Sequence, residues 1–383
     1  MNHLELPPTA TVWREGDPVA NRQFADVGEL ALEFGTVLPA VTVAYETWGT
    51  LSPDRNNAIL VEHALTGDAH AAGSTQAGQL TPGWWDAIIG PGKAIDTNVW
   101  FVVAANVLGG CQGTTGPGSL APDDRPWGSR WPRISVRDQV ATEARLADEL
   151  GITSFRAVVG GSMGGMRALE WALLYPQRLE SAIIVATGAA ATADQIALQT
   201  AQIEAITTDA AWQGGDYYAT GSQPTSGLGV ARRFAHLSYR TEAELHERFG
   251  TQPQPDEDPH TDFISGRHPG AGRFAVQSYF DHHASKLAER FDAGSYVSLT
   301  DAMNTHDVSR GRGDLEQVLG GVQVPVWVAG VDSDRLYPIR LQEQMCDLIP
   351  QAAPLTVITS KHGHDGFLVE SQAVGDFITK ALQ

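Results

Sequence analysis

The segment that most constrains the fold is residues 155–174, where a β-type apolar run meets a glycine-rich turn and then a run of helix formers. The turn at residues 160–164 reads G-G-S-M-G, a G-x-S-x-G pattern. Strand, sharp turn and helix in that order form a nucleophile elbow, which exposes a serine hydroxyl above a sheet. Glycine is needed beside the serine because a side chain there would collide with the neighbouring strand and helix. The segment therefore predicts an α/β sheet that presents Ser162.

Short β-branched runs recur along the chain with turn residues between them. They occupy residues 41–46, 58–61, 99–104, 155–159, 182–185, 326–329 and 355–358. Several are apolar throughout, which is typical of strands that helices cover on both faces. Helical patterns lie between them; one begins with a capping-box pattern of Ser135 and Asp138 and ends at Gly151. The alternation predicts a mostly parallel, doubly wound sheet.

The alternation stops between residues 187 and 320, where the patterns are helical. These patterns cover residues 192–206, 227–237, 242–249, 276–291 and 296–304. Helices inserted between two strands of such a sheet would cover the edge at which α/β folds bind ligands. We therefore expect a core domain of residues 1–186 and 321–383, with a helical lid of residues 187–320 inserted in it. Within the lid, residues 252–273 are rich in Pro, Gly, Asp and His and are expected to form an exposed mobile loop.

Composition limits the compartment and the partners. A formal net charge of −19 argues against nucleic acid or an anionic membrane surface as a partner. The two cysteines, Cys111 and Cys346, are too few for a disulfide framework and fit a reducing compartment. The chain opens without an apolar signal segment, and no run approaches the ~18 apolar residues that a membrane span needs. We expect a soluble, cytoplasmic protein.

A serine nucleophile needs a base, and the base needs an acid that orients it. In this type of fold the acid follows the serine, and the histidine follows the acid. Two acids compete beyond the insertion: Asp334, four residues before a proline at which the loop turns into a helix, is favoured over Asp332. His364 is the favoured base because Gly363 leaves space for its imidazole, and His362 is the alternative.

The oxyanion of an acyl-transfer reaction needs two backbone N–H donors. One is expected from Met163, which follows the serine, and the other from Leu65, in the loop after an early strand. Gly67 would allow that loop to turn tightly, and His63 is interpreted as a structural hydrogen-bonding residue and not as a second base.

Other reactive side chains have simpler interpretations. The spacing of His362 and His364 could suit a metal, but no third ligand is apparent, so we expect no metal site. Cys111, within the glycine-rich residues 109–113, is interpreted as a small residue filling a tight loop. His282 and His283 are interpreted as surface residues of a lid helix.

Six segments together resemble the homoserine O-acetyltransferase family of the α/β-hydrolase superfamily. They are HALTGDAH at residues 63–70, NVLGGCQGTTGP at 106–117, GGSMGG at 160–165, RRFAHLSYR at 232–240, SDRLYP at 333–338 and GHDGF at 363–367. The resemblance implies an α/β-hydrolase fold. It also implies a cytoplasmic, homodimeric acyltransferase of methionine biosynthesis, which moves an acetyl group from acetyl-CoA to the hydroxyl of L-homoserine and holds no tightly bound cofactor.

The resemblance also implies roles for individual residues. It implies a catalytic triad of Ser162, Asp334 and His364. It further implies that Arg232 holds the carboxylate of the substrate and that Asp365 holds its ammonium group, an arrangement that suits a zwitterionic amino acid.

Three further residues or segments bear on the resemblance. Tyr239 is an additional candidate for the substrate pocket. Residues 251–273, which contain His260 and His268, form a longer segment than the family leads us to expect. Arg167 stands where the family pattern has Gln, and we expect it to lie harmlessly on a helix surface.

The residues leave other functions open. A hydrolase could use the same triad on an ester, with water as the acceptor. Succinyl-CoA could replace acetyl-CoA, and serine could replace homoserine, since one methylene changes binding by only ~1–3 kcal/mol. A non-catalytic binding protein of the same fold is disfavoured because the serine, acid, histidine and elbow glycines are all present.

Overall fold

The centre of the structure, a computed structural model that describes residues 11–79, 81–260 and 272–383, is an eight-stranded sheet. Its strands are β1 Gln23–Asp26, β2 Thr42–Trp48, β3 Ala58–Glu62, β4 Phe101–Ala105, β5 Ala157–Gly161, β6 Ala182–Val185, β7 Val326–Val331 and β8 Thr356–Ile358. They lie in the order β1-β2-β4-β3-β5-β6-β7-β8. From β4 to β8 every neighbouring pair is parallel, whereas β2 is antiparallel to both β1 and β4. The predicted mostly parallel α/β sheet is confirmed.

Helices cover both faces of this sheet. Those of the core are α1 Val136–Glu149, α2 Met163–Leu174, α9 Arg340–Leu348, α10 Gly366–Val369 and α11 Ser371–Leu382. The predicted capping box is present, since the Ser135 side chain accepts from the Asp138 N–H and the Asp138 carboxylate accepts from the Ser135 N–H. Two small two-stranded sheets, Leu30–Ala31 with Val37–Leu38 and Ile89–Gly90 with Ile95–Asp96, lie outside the main sheet.

The central strands are apolar because neither face of the sheet meets water at their positions. Every residue of β5 and of β6 is buried. Successive side chains of a strand point to opposite faces, so Val158 packs into one apolar cluster and Val159 into another on the other side of the sheet. Full burial of such a side chain stabilises the fold by about 1.5–3 kcal/mol, and the sheet therefore holds the elbow rigidly.

The chain between β6 and β7 is helical in the residues that the structure describes. Its helices are α3 Ala193–Thr207, α4 Thr225–Tyr239, α5 Glu242–Phe249, α6 Ala275–Ala288, α7 Ala293–Asn304 and α8 Leu315–Gly320. Helix α4 packs against both α3 and α6. Residues 261–271 of the expected mobile loop, which include His268, lie outside the described residues. In the parts of the chain that are described, no helix combines the length and apolar character needed to cross a bilayer.

The expectation that Arg167 lies on a helix surface is wrong. Its side chain is 0% exposed, because α2 is enclosed between the sheet and α1. The guanidinium donates to Glu143 Oε1 over 2.5 Å and to the His63 carbonyl over 2.6 Å, and Trp171 Nε1 donates to the other Glu143 oxygen over 3.0 Å. A buried charge needs such partners, so this arginine is a structural residue of the core.

Replacing Arg167 with Met should lower the free energy of unfolding by about 3–5 kcal/mol, because it leaves Glu143 buried without its partner. The matched control is Arg133→Met, which breaks a half-exposed ion pair with Asp301 and should cost about 1 kcal/mol or less. Denaturant unfolding of both variants measures the difference. Equal losses would show that the buried contacts of Arg167 do not stabilise the fold.

Candidate active site

The turn between β5 and α2 holds Ser162 in a strained conformation. Its φ is +57° and its ψ is −121°, a combination that a residue other than glycine adopts only when its surroundings enforce it. The surroundings are tight on both sides: a Cβ at Gly160 would collide with the backbone of Gly164, and a Cβ at Gly164 would collide with the Glu62 carbonyl. The glycines of the motif are therefore required by the close approach of β3, β5 and α2.

The structure brings Ser162, His364 and Asp334 together in one hydrogen-bonded chain. The Ser162 Oγ lies 2.9 Å from His364 Nε2, and His364 Nδ1 lies 2.6 Å from Asp334 Oδ2. All three side chains are buried. With Nδ1–H donating to the carboxylate, Nε2 is free to accept the serine proton, which is the arrangement that activates a serine nucleophile.

Local hydrogen bonds explain which acid the histidine meets. Asp334 Oδ1 accepts from the N–H groups of Leu336 and Tyr337, each over 2.8 Å, so its other oxygen is left to face His364. Asp332 instead accepts from the N–H of Ser360 over 3.1 Å. The structure thus places Asp334, and not the alternative acid, beside the histidine.

His362, the alternative base, lies apart from the serine, with its Nδ1 3.1 Å from the Arg240 guanidinium.

Both ring nitrogens of His63 contact backbone groups. Its Nε2 accepts from the Val107 N–H over 3.0 Å, and its Nδ1 lies 2.7 Å from the Ala64 carbonyl. Burial, with the Arg167 charge nearby, lowers the pKa of His63 to about 3. His63 is thus a neutral residue that holds backbone in place.

A cavity of about 630 Å³, counting the solvent at its mouth, opens over the serine. Leu65 lines it from the core, and Met163, the other expected oxyanion donor, is the first residue of α2. The three predicted substrate residues also line it: Arg232, Asp365 and Tyr239. The predicted nucleophile, base and substrate residues thus line one cavity, with Met163 directly beside the serine.

Charge is distributed unevenly in this cavity. The Arg232 guanidinium lies 5.6 Å from the centre of the Tyr239 ring. Among the described residues, no acceptor forms a hydrogen bond with the buried Nε of Arg232. Asp365 Oδ2 lies 3.2 Å from Nη1 of Arg240. Burial raises the pKa of Tyr239, while the nearby Arg232 charge opposes that rise. The cavity therefore carries a cation and an anion that an amino acid could bridge.

Sequence reasoning missed the polar residues that α3 contributes. Gln199 and Gln202 line the cavity, and Gln202 Oε1 accepts from the Tyr296 hydroxyl over 2.7 Å. Their spacing of three residues puts them on one helix face, together with a third buried glutamine, Gln195. Glutamine side chains that recur on the buried face of a helix are the sequence signal that could have revealed these residues.

The remaining reactive groups take no part in this arrangement. Cys111 is buried, and burial raises the pKa of its thiol to about 12, so it holds no appreciable thiolate at neutral pH. His282 is exposed, whereas the His283 ring is half-buried and stacks on His236 with 4.1 Å between ring centres. Across residues 11–79, 81–260 and 272–383, no three His, Cys, Asp or Glu side chains are grouped so as to hold a metal ion.

Comparison with known proteins agrees with this fold. The family profile described as alpha/beta hydrolase fold matches residues 57–371. Among solved structures, the crystal structure of esterase E22 is similar with a TM-score of 0.84 and 26% identity, over 94% of this chain and 99% of that one. The fold and the serine elbow define an α/β-hydrolase-fold protein.

More specific relatives share a name. The homoserine O-acetyltransferase of Thermobifida fusca (strain YX) is 55% identical over 386 residues, which cover the whole of both chains. The crystal structure of homoserine O-acetyltransferase from Bacillus anthracis has a TM-score of 0.85 and 29% identity, over 94% of this chain and 97% of that one. The chain belongs to the homoserine O-acetyltransferase family.

The contacts of Ser162 predict that it alone reacts with a fluorophosphonate probe. Ser162→Ala should abolish labelling, because the activated hydroxyl is gone. Cys111→Ala should be labelled at the rate of the unmodified protein, because the buried thiol is protonated and contributes no nucleophile. Mass spectrometry of the labelled peptide measures both results. A labelled Ser162→Ala variant would place the nucleophile elsewhere.

Proposed function

We propose that this protein is a homoserine O-acetyltransferase that moves an acetyl group from acetyl-CoA to the hydroxyl of L-homoserine. The reaction proceeds in two steps through an acetyl ester of Ser162. The observation that carries the proposal is the Ser162–His364–Asp334 chain of hydrogen bonds at a cavity that also contains Arg232 and Asp365. The family membership supports the choice of an acyltransferase over other serine chemistry.

In the first step, His364 Nε2 accepts the proton of the Ser162 hydroxyl as the oxygen attacks the thioester carbonyl. The N–H groups of Met163 and Leu65 stabilise the resulting oxyanion. The carbon–sulfur bond then breaks, His364 returns its proton to the departing thiolate of CoA, and the acetyl group stays on the serine. Asp334 orients the imidazole and stabilises its positive charge while the proton is held.

In the second step, homoserine occupies the cavity with its carboxylate on Arg232 and its ammonium group on Asp365. Tyr239 forms the wall beside Arg232. His364 accepts the proton of the homoserine hydroxyl, whose oxygen attacks the acetyl ester. The bond to Ser162 breaks, and the serine oxygen takes the proton back from His364, which restores the free enzyme.

Water is the competing acceptor, because the esterase E22 structure has the same overall fold. Lid residues close the cavity on one side with apolar surface, including Leu198 and Met303, and Phe367 of the core adds to it. Apolar walls that exclude water favour transfer to a bound alcohol over hydrolysis.

We also propose a cytoplasmic homodimer that acts in methionine biosynthesis and holds no tightly bound cofactor. Both cysteines are free thiols, which fits a reducing compartment. Helix α4 exposes three apolar side chains on its surface, Val230, Phe234 and Leu237, each 40–45% exposed. An apolar patch of this kind is suited to contact with a second copy of the chain.

The test is thiol release from acetyl-CoA or succinyl-CoA, each with homoserine, with serine or with no acceptor. Steady release should require acetyl-CoA and homoserine together, and Ser162→Ala should lower it by a factor on the order of 10⁴. Equal release without an acceptor would identify a hydrolase. Faster thiol release with succinyl-CoA would identify succinyl-CoA as the donor. Faster release with serine would identify serine as the acceptor.

Arg232→Met should raise the KM for homoserine about 10- to 100-fold, because a hydrogen-bonded ion pair with the carboxylate is lost. The adjacent Arg233→Met is the matched control, since that guanidinium points to Asp281 and is 40% exposed. Initial rates at varied homoserine measure both variants. An equal rise of the KM for homoserine in both variants would show that Arg232 does not bind the acceptor.

A further inference from the structure

Arg240, which joins the end of α4 to the start of α5, is a buried arginine that contacts the cavity only through another residue. Its side chain is 9% exposed. Two of its nitrogens, Nε and Nη2, donate to the two oxygens of Glu244 over 3.0 and 2.6 Å. The third, Nη1, donates to Asp365 Oδ2 over 3.2 Å. This two-point contact with Glu244 fixes the plane of the guanidinium and therefore the direction in which Nη1 points.

The loop that carries Asp365 is docked on the same end of α4. Gly363 has a φ of +64°, and a Cβ there would collide with the Tyr239 carbonyl, so the backbone approach is close. The Thr241 hydroxyl donates to the Lys361 carbonyl over 2.8 Å. His362 Nδ1 accepts from Arg240 over 3.1 Å when its ring is neutral. Lid and loop thus meet through short polar contacts around one guanidinium.

A lone carboxylate on a loop can rotate about its side-chain bonds, whereas one held by an arginine has a fixed direction. Asp365 lines the cavity with an exposed fraction of only 19%. Its partner Arg240 cannot follow a ligand into the cavity, because Glu244 holds it from the other side. A positively charged group in the cavity would therefore meet a carboxylate already placed to receive it, so the cost of ordering that carboxylate would not oppose binding.

We propose that Arg240 is a positioning residue for the amino-acid acceptor: it holds the Asp365 carboxylate in the direction that receives the α-ammonium group. The inference rests on the proposed function and deepens it. Arg240 touches no reacting atom, so it affects the second step and not acyl transfer to Ser162. It also affects only acceptors that carry an ammonium group. It thereby selects amino-acid acceptors over plain hydroxy acids.

The experiment compares homoserine with 4-hydroxybutanoate, which lacks the ammonium group. Arg240→Lys replaces the planar fork with a point charge and should raise the KM for homoserine about tenfold. The KM for 4-hydroxybutanoate and the single-turnover release of thiol without an acceptor should change less than about threefold. In an Asp365→Asn background, Arg240→Lys should cause no further change, because its effect passes through that carboxylate.

Two further variants separate positioning from folding. Glu244→Gln is the control: it removes the negative charge on the side of Arg240 away from Asp365 but keeps a hydrogen-bond acceptor there. Arg240→Met with Glu244→Leu removes the buried pair together, which avoids leaving one charge alone, and it should reproduce the selective rise in the KM for homoserine.

The outcomes distinguish this inference from the proposed function. An unchanged KM for homoserine in Arg240→Lys, or equal losses for both acceptors and for thiol release, would overturn the positioning role while leaving the transferase intact. An additive effect in the Asp365→Asn background would also overturn it. If the unmodified protein acetylates no amino acid, the proposed function itself fails.

Discussion

The site depends first on a steric constraint, the close approach of three backbone segments at Gly160, Ser162 and Gly164. The positive φ of the serine costs free energy, on the order of 1–3 kcal/mol. The buried parallel strands on both sides of β5 enforce this backbone conformation. No side chain fits where these segments meet. Since the serine cannot relax into the sheet or the helix, its oxygen stays at the carboxyl edge, and His364 and Asp334 need only reach that fixed point.

Much of this arrangement was predictable because it is local. Helix α2 lies where the sequence placed it, and α5 matches at both ends. The strand β1, by contrast, carried no signal: its four residues are largely exposed and are held by pairing with β2. The serine, acid and histidine were predicted from the order of their motifs along the chain. Hydrogen bonds from the N–H groups of Leu336 and Tyr337 explain why Asp334, and not Asp332, faces the histidine.

What sequence reasoning could not supply were contacts between distant segments. Arg167 looked like a surface residue because a charge on a helix is usually solvated, and its partner Glu143 lies 24 residues away on α1. Arg240 belonged to a recognised motif, yet its contact with Asp365 spans 125 residues. Such pairings depend on how helices and loops that are distant in sequence pack together, which neither periodicity nor propensity encodes.

The burial of Arg167 has a geometric consequence for the site above it. This side chain starts from α2, whose first residue is Met163, and it ends on the carbonyl of His63, two residues before Leu65. One guanidinium thus acts as a spacer between the two segments that carry the proposed oxyanion donors. Because this side chain is fully enclosed in protein, it holds the two segments at a fixed separation that a solvent-exposed loop contact would not maintain.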